Sequence, residues 1–360
     1  MKIFLAATSL APVYGGPAVS VSRLATALAE AGAEVGLWAS DGSIQTTSLL
    51  PPQLPEGLTR LSGPAAEALE AFSPDILHDN GLWLPHNHAL AVLAAKRGVP
   101  RVVSTRGMLE PWARRHKKWK KDLAWLFYQS RDLKRAHALH ATAAREADHL
   151  AQMRLGVRVH MIANGVDIPD LSSFPPAGAA EVRTAVFLGR LYPVKGLPLL
   201  IKAWDRLRPA GWRLVLAGPD EAGHKAELEA LIGQAGLADI ITFGGLFAGA
   251  EKTRFLASAD LFVLPSYTES FGIAAAEALA HGVPVLTTTG TPWSMLREQD
   301  CGWTVEPTVE GIAAGLSDAT SCDAKTLRAM GERGRAWMTS EFAWTHVAAQ
   351  FLSAYRQALT

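Results

Sequence analysis

PSYTESFGIAAAEALAHGVPVLTTTG, residues 265–290, follows the apolar run LFVL at 261–264, and the fold can be read from this join. A buried strand gives way at Pro265 to a polar loop carrying Glu269. A helix then begins near Ser270, Phe271 and Gly272 and carries Glu277. Strand, polar loop and helix start, in that order, describe the carboxyl edge of a parallel sheet, where open α/β sheets bind ligands. A helix start also offers free amides and partial positive charge to a phosphate. At ~1.5 Å per residue, helical spacing would set Glu269 and Glu277 about 12 Å apart. That length suits gripping two parts of one extended ligand and is too great for an acid/base pair sharing one bond. Taken alone, the segment also fits a solvated helix face.

The same alternation extends outward in both directions. In the second half, 183–188, 213–217, 240–243, 261–264 and 283–287 read as strands, with helices at 197–207 and 225–235 among those between them. The tail, 324–359, is mostly helical with a break near 340–342. In the first half, strands are expected at 2–7, 34–39, 75–78, 101–104, 138–141 and 157–162, with helices at 18–31 and 88–97. Residues 163–181, ANGVDIPDLSSFPPAGAAE, lose all periodicity and read as an interdomain linker. The expected fold class is α/β: two doubly wound, Rossmann-like domains at 1–165 and 175–341.

Composition agrees with two ordinary cores in 360 residues. Hydrophobic residues make up 49% and charged residues 19%. A formal net charge of +1 argues against a chain-wide nucleic-acid footprint. The two cysteines, Cys301 and Cys322, have neither metal nor redox spacing, which favours a reduced, cytoplasmic protein. The start, MKIFLAATSLAP, runs straight into the Tyr14-Gly15-Gly16-Pro17 turn and reads as a buried strand rather than a signal peptide. No apolar run approaches the ~18 residues needed to span a bilayer.

Two further strand-to-helix turns carry chemistry. FLGRLYPVKG, 187–196, places Arg190 and Lys195 around a turn, where two cations can neutralise a diphosphate. Two surface cations near a turn is the plainer alternative. TSLAPVYGGP, 8–17, pairs Gly15 with Gly16, so that backbone amides can approach a ligand ahead of a helix. It lacks the G-x-G-x-x-G fingerprint of dinucleotide sites.

In this order, the pieces resemble retaining glycosyltransferase family 4. PSYTESFGIAAAEALAHGVPV looks like its Glu-x7-Glu signature, GRLYPVKG like its donor-phosphate loop, and IANGVD (162–167) like its interdomain turn. The resemblance covers nearly the whole chain. It implies the GT-B fold: two Rossmann-like domains facing a cleft, with a last helix, about 342–360, packing back on the first. It implies hexose transfer from a UDP- or GDP-sugar to a saccharide or lipid-linked saccharide, with anomeric configuration retained and no metal or other cofactor. No Asp-x-Asp pair occurs in the sequence, which agrees with a metal-free site. By the same resemblance, Arg190 and Lys195 hold the diphosphate and Glu269 contacts the donor sugar. Ser270, Phe271 and Gly272 offer amides, Glu277 binds ribose hydroxyls, and Gly15 and Gly16 border the phosphate.

One departure stands out. Where many members place a His-Gly after a first-domain strand, this chain has Arg106-Gly107. Arg cannot act as a base near neutral pH, but it can bind a phosphate or an acidic acceptor. In retaining chemistry of this kind the leaving phosphate itself can take the acceptor proton. His78, Asn80 and Trp83, in LHDNGLW, are further acceptor-side candidates, and His78 fits a satisfied structural histidine equally well. RGMLEPW (106–112) and TGTPW (289–293) resemble a branch of the family from bacterial surface-polysaccharide clusters; Trp293 either borders the donor or is a packing residue.

PWARRHKKWKKDLAWLFY, 111–128, is basic, with Trp119, Leu123, Leu126 and Phe127 at helical spacing. Two readings are open: an ordinary helix packing its apolar face on the first domain, or peripheral contact with an anionic membrane holding a lipid-linked acceptor. Nucleic acid is not expected. The competing functions are a nucleotide-sugar epimerase on the same fold and a non-catalytic scaffold.

Overall fold

A computed structural model describes residues 1–359 except 116, 173 and 175–180. Part of the expected linker, the expected domain start at 175 and the expected end of the last helix at 360 therefore lie outside the described residues. The chain divides into two compact units: Met1–Gly165 together with Trp344–Thr360, and Val166–Ala343.

The first unit is built on a parallel sheet of seven described strands: β1 (Lys2–Ala7), β2 (Glu34–Ala39), β3 (Leu58–Leu61), β4 (Ile76–Asn80), β5 (Arg101–Ser104), β6 (Ala138–Ala141) and β7 (Arg158–Met161). Their order is β3-β2-β1-β4-β5-β6-β7. The central strand β1 is apolar at every position after Lys2 because both its faces are covered. Alternation sends Ile3, Leu5 and Ala7 into one core with helices Gly16–Glu30 and Trp344–Leu359. Phe4 and Ala6 enter the other, with Trp38, Leu69 and Leu90.

The second unit repeats the plan with six described strands: β8 (Arg183–Leu188), β9 (Trp212–Ala217), β10 (Ile241–Gly245), β11 (Leu261–Leu264), β12 (Val285–Thr288) and β13 (Gly302–Val305), in the order β10-β9-β8-β11-β12-β13. Two strands absent from the sequence reading, β3 and β13, are both edges. Each is four residues long and half exposed along its second half, so neither carries a continuous apolar run. Glu269 lies in the loop, as read from the sequence, but the helix expected near 270–272 starts only at Ile273, so the helical spacing from Glu269 to Glu277 does not apply.

The last helix is joined to the first sheet by a buried polar chain. His140 Nε2 lies 2.8 Å from the Ile162 carbonyl, which can only accept, so this nitrogen bears the proton. The other bonds then have one direction. The Ser104 hydroxyl donates to His140 Nδ1 (2.6 Å) and accepts from His78 Nε2 (2.7 Å), and Tyr355 donates to His78 Nδ1 (2.6 Å). Both imidazoles are neutral. Burial pushes His78 well below the ordinary histidine range and His140 down to about 4. His78, expected as an acceptor-side candidate, is fully buried and saturated by Tyr355 and Ser104, the arrangement of a structural histidine.

This chain fixes a pH dependence. The folded state excludes protons that the unfolded chain binds below a pH of about 6.5, so stability is full above that value and falls as pH drops towards 4. The slope is about 1 kcal/mol per histidine per pH unit. Denaturant unfolding of the parent at pH 7 and pH 5 should show this loss. Tyr355→Phe should cost about 1–2 kcal/mol at pH 7 by leaving His78 Nδ1 unpaired; unchanged stability in both experiments would contradict the assignment.

Candidate functional site

In each sheet, chain order reverses between two adjacent parallel strands, and ligand crevices of open α/β sheets form at that reversal. In the second unit these strands are β8 and β11, which pair directly, Leu261 against Ala185 and Phe262 against Val186. Their outgoing loops, 189–196 and 265–272, carry most of the residues singled out from the sequence in this unit.

The two loops are tied together. The Tyr267 amide donates to the Val194 carbonyl at 2.9 Å. Gly196 has φ +67, and a Cβ there would stand 2.2 Å from the Pro265 carbonyl oxygen, so only glycine lets the loops approach this closely. Across the contact, Lys195 Nζ lies 2.5 Å from Glu269 Oε1, with side chains only 16% and 12% exposed. The Ser266 hydroxyl donates to the same oxygen at 2.7 Å. Ser266 is held in turn by Thr288, whose hydroxyl donates to the Ser266 carbonyl. The Glu269 amide donates to the Gly290 carbonyl. Glu269 is thus fixed by main chain and side chain, with one carboxylate oxygen committed to Lys195 and Ser266.

Arg190 lies on the same turn but is held elsewhere. Its guanidinium donates to Glu221, in the loop after β9, at 2.6 Å, in a pair exposed to solvent. Such an exposed pair is worth less than about 1 kcal/mol, so an anion competing for the guanidinium would displace Glu221 at little cost. Glu277 faces Lys252, from helix Gly249–Ala257, at 2.6 Å. The structure therefore joins Lys195 to Glu269, while Arg190 and Glu277 each meet a partner not picked out from the sequence. Glu221 and Lys252 carried no signal because their partners lie on distant segments.

Gly272 has φ +75 and opens helix Ile273–Ala280. A Cβ there would meet Leu264 and the Trp293 indole nitrogen at 3.2 Å. Phe271 is buried, and its carbonyl accepts from the Trp293 indole at 2.7 Å. Trp293 itself is buried against Phe271, Trp337 and Phe342, so it is a packing residue. Ser270 sits in the loop between Glu269 and this helix.

In the first unit the reversal falls between β1 and β4. Gly15, at φ +78, caps helix Gly16–Glu30. Arg106 follows β5 with a left-handed backbone, φ +47. Its guanidinium donates to Asn80 Oδ1 (2.7 Å) and to the Ser20 hydroxyl on that helix (2.9 Å). Buried Glu146 clamps the loop on both sides of it, accepting from the Thr105 hydroxyl at 2.6 Å and the Gly107 amide at 2.5 Å. Burial lowers Arg106 to about 10, against the opposing pull of Glu146, and the group stays cationic at neutral pH. Arg106 is a fixed positive charge beside a helix start. Trp83 is half-buried, with its ring against Trp125. Ser20 and Glu146 were not anticipated. A glutamate in the first turn of a helix, as here in Ala144–Gln152, looks like an ordinary dipole-matching residue until the loop it clamps is known.

Comparison with known proteins follows this division. Residues 14–169 match the family model described as Glycosyltransferase Family 4, and residues 173–337 match that described as Glycosyl transferases group 1. A relative from Xanthomonas oryzae pv. oryzae, GDP-mannose:cellobiosyl-diphosphopolyprenol alpha-mannosyltransferase, is 27% identical over 82% of this chain and 77% of its own length. D-inositol 3-phosphate glycosyltransferase of Mycobacterium marinum is 29% identical over 56% of this chain, which spans only 46% of that protein. Among solved structures, sucrose-phosphate synthase from Thermosynechococcus elongatus superposes with a TM-score of 0.78 at 20% identity, over 99% of this chain and 98% of its own. The Anabaena protein HepE, solved with UDP and glucose, gives 0.74 at 20% identity, over 99% of each chain. These structures share the GT-B fold.

Gly196→Ala tests the closeness of the two loops. The clash with the Pro265 carbonyl and the left-handed φ should together cost about 2 kcal/mol or more. Gly223→Ala, also at positive φ but with open space around its Cβ, should cost less. Equal losses in the two variants, measured by denaturant unfolding, would mean that the loops do not abut.

Proposed function

The chain belongs to the family 4, group 1 glycosyltransferases, and from that premise we propose that it transfers a hexose from a UDP- or GDP-sugar to a saccharide or lipid-linked saccharide, with retention of anomeric configuration, in bacterial polysaccharide biosynthesis. The observation that carries the reading is the Lys195–Glu269 contact at the β8–β11 reversal, which sets a cation and a fixed carboxylate side by side where an extended anionic ligand would lie. The Xanthomonas relative, whose name specifies GDP-mannose and a diphosphopolyprenol-linked acceptor, supports both donor class and acceptor class.

In this proposal Lys195 and Arg190 neutralise the diphosphate, Arg190 exchanging Glu221 for a phosphate oxygen. Glu269, already oriented by Lys195 and Ser266, contacts the donor sugar. Amides at Ser270, Phe271 and Gly272 add fixed dipoles, and Glu277 meets the ribose hydroxyls with its free oxygen while Lys252 holds the other. The bond between the anomeric carbon and the diphosphate oxygen breaks, and the acceptor oxygen bonds to that carbon on the same face. The acceptor proton passes to the departing phosphate. No protein base is required, and Arg106 provides fixed charge on the acceptor side. The charge of the leaving group is met by Arg190, Lys195 and main-chain dipoles, without metal. The enzyme works in the cytoplasm, at the inner face of the membrane when its acceptor is lipid-linked.

Thermal shift with nucleoside diphosphates in EDTA is the test. At 100 times its dissociation constant a bound nucleotide adds about 2.7 kcal/mol. UDP or GDP should stabilise the parent in the chelator, and Arg190→Ala and Lys195→Ala should each remove most of that gain. Full gain in both variants would rule out the phosphate assignment, and a gain that appears only with added divalent cation would rule out metal-free binding. Lys252→Met should weaken the ribonucleotide several-fold but barely change a 2′,3′-dideoxynucleotide, since its effect runs through Glu277.

A further inference from the structure

We infer that the helical segment 118–129 docks the enzyme on an anionic phospholipid bilayer. This deepens the lipid-linked acceptor reading, although its evidence is separate. Helix Lys118–Ala124 continues into a π-helical turn, Trp125–Gln129, and then helix Ser130–Lys134. Among the described residues, the segment is fastened from the Trp83 side. Trp125 packs against Trp83, the Tyr128 hydroxyl donates to the Trp83 carbonyl at 2.6 Å, and Gln129 accepts from the Trp83 amide. The opposite side carries Trp119, Leu123, Leu126 and Phe127, which are 65%, 46%, 77% and 68% exposed. Spacings of four, three and one residue put all four on one helical face. Of the two readings left open by the sequence, the one in which this apolar face packs on the first domain does not hold: Trp125 packs inward and the four-residue ridge faces solvent.

Charge selects the occupant. Residues 111–128 hold six Lys and Arg and a single acid, Asp122, whereas the whole chain is only +1, so the remainder is net acidic. Asp122 is already occupied by Lys118 at 2.6 Å and Arg114 at 3.6 Å. Arg115, Lys117 and Lys120 are exposed, and the Lys120 ammonium lies over the Trp119 ring. An apolar ridge bordered by cations matches the boundary between acyl chains and anionic headgroups, with Trp119 at the interface and the lysines reaching the phosphates. A nucleic acid would satisfy the cations but leave Leu123 and Leu126 without partners. No helix of the described residues is long and apolar enough to cross a membrane, so the mode is interfacial. The ridge also has a purpose in place. Its anchor, Trp83, lies just past the carboxyl end of β4, so a bilayer on this face brings lipid headgroups towards the Arg106 side of the sheet.

Vesicle cosedimentation of the full chain, without donor or acceptor, tests this independently of glycosyl transfer. The parent should pellet with phosphatidylglycerol-containing vesicles and stay soluble with pure phosphatidylcholine. Leu123→Ser/Leu126→Ser/Phe127→Ser should lower partitioning about tenfold while melting as the parent does, because these side chains support no core. Lys117→Gln/Lys120→Gln should lower it less and flatten its salt dependence. The inference is overturned if the parent ignores anionic vesicles, if the triple serine variant binds them unchanged, or if a short DNA duplex binds the parent more tightly than the vesicles do.

Discussion

The close approach of two loops at the β8–β11 reversal governs the geometry of the second unit's candidate site. Parallel pairing of these strands brings two helix starts to one sheet edge, and the missing side chain at Gly196 lets main chain touch main chain. Lys195 and Glu269 are then held together by geometry that neither sequence segment has alone. A half-buried ion pair of this kind adds little net stability, because desolvation offsets much of its attraction. Its value lies in orientation: the carboxylate is already aimed, and a ligand need not organise it.

The charged side chains of the candidate site are paired with one another or with neighbours. Lys195, Arg190 and Glu277 each rest against an opposite charge from another loop or helix. On the proposed function, a diphosphate enters by exchange of partners rather than by filling a bare cationic hole. Exposed Arg190–Glu221 is the pair most easily exchanged, whereas Lys195–Glu269 is the one most firmly kept. The first unit follows the same economy, with Arg106 held by Asn80 and Ser20 and its loop clamped by Glu146.

Much of the architecture was legible because buried parallel strands announce themselves. β1, β2, β5, β6, β8 and β11 run as their apolar stretches suggest, and Leu197–Leu207 matches its 3.6-residue period. Edge strands β3 and β13 were not legible, since an edge needs apolar residues on fewer positions. Arg190, Lys195 and Glu269 could be picked out from local context, as strand ends before helix starts. Their partners could not. Glu221, Lys252 and Glu146 act across strand order, which local spacing does not encode. The basic helix shows the same limit in another form: period reveals that it has two faces, while only the packing of Trp125 against Trp83 reveals which one is turned outward.

The division of the chain has a temporal corollary. Helix Trp344–Leu359 supplies Val347, Phe351 and Tyr355 to a core whose other members all precede Gly165. On the ribosome, those earlier residues must wait with one wall of their interior missing while the entire intervening unit is made. Val166–Ala343 has every residue it needs the moment Ala343 emerges. Vectorial synthesis therefore favours maturation in reverse order: the middle of the polypeptide closes first, and the beginning closes last.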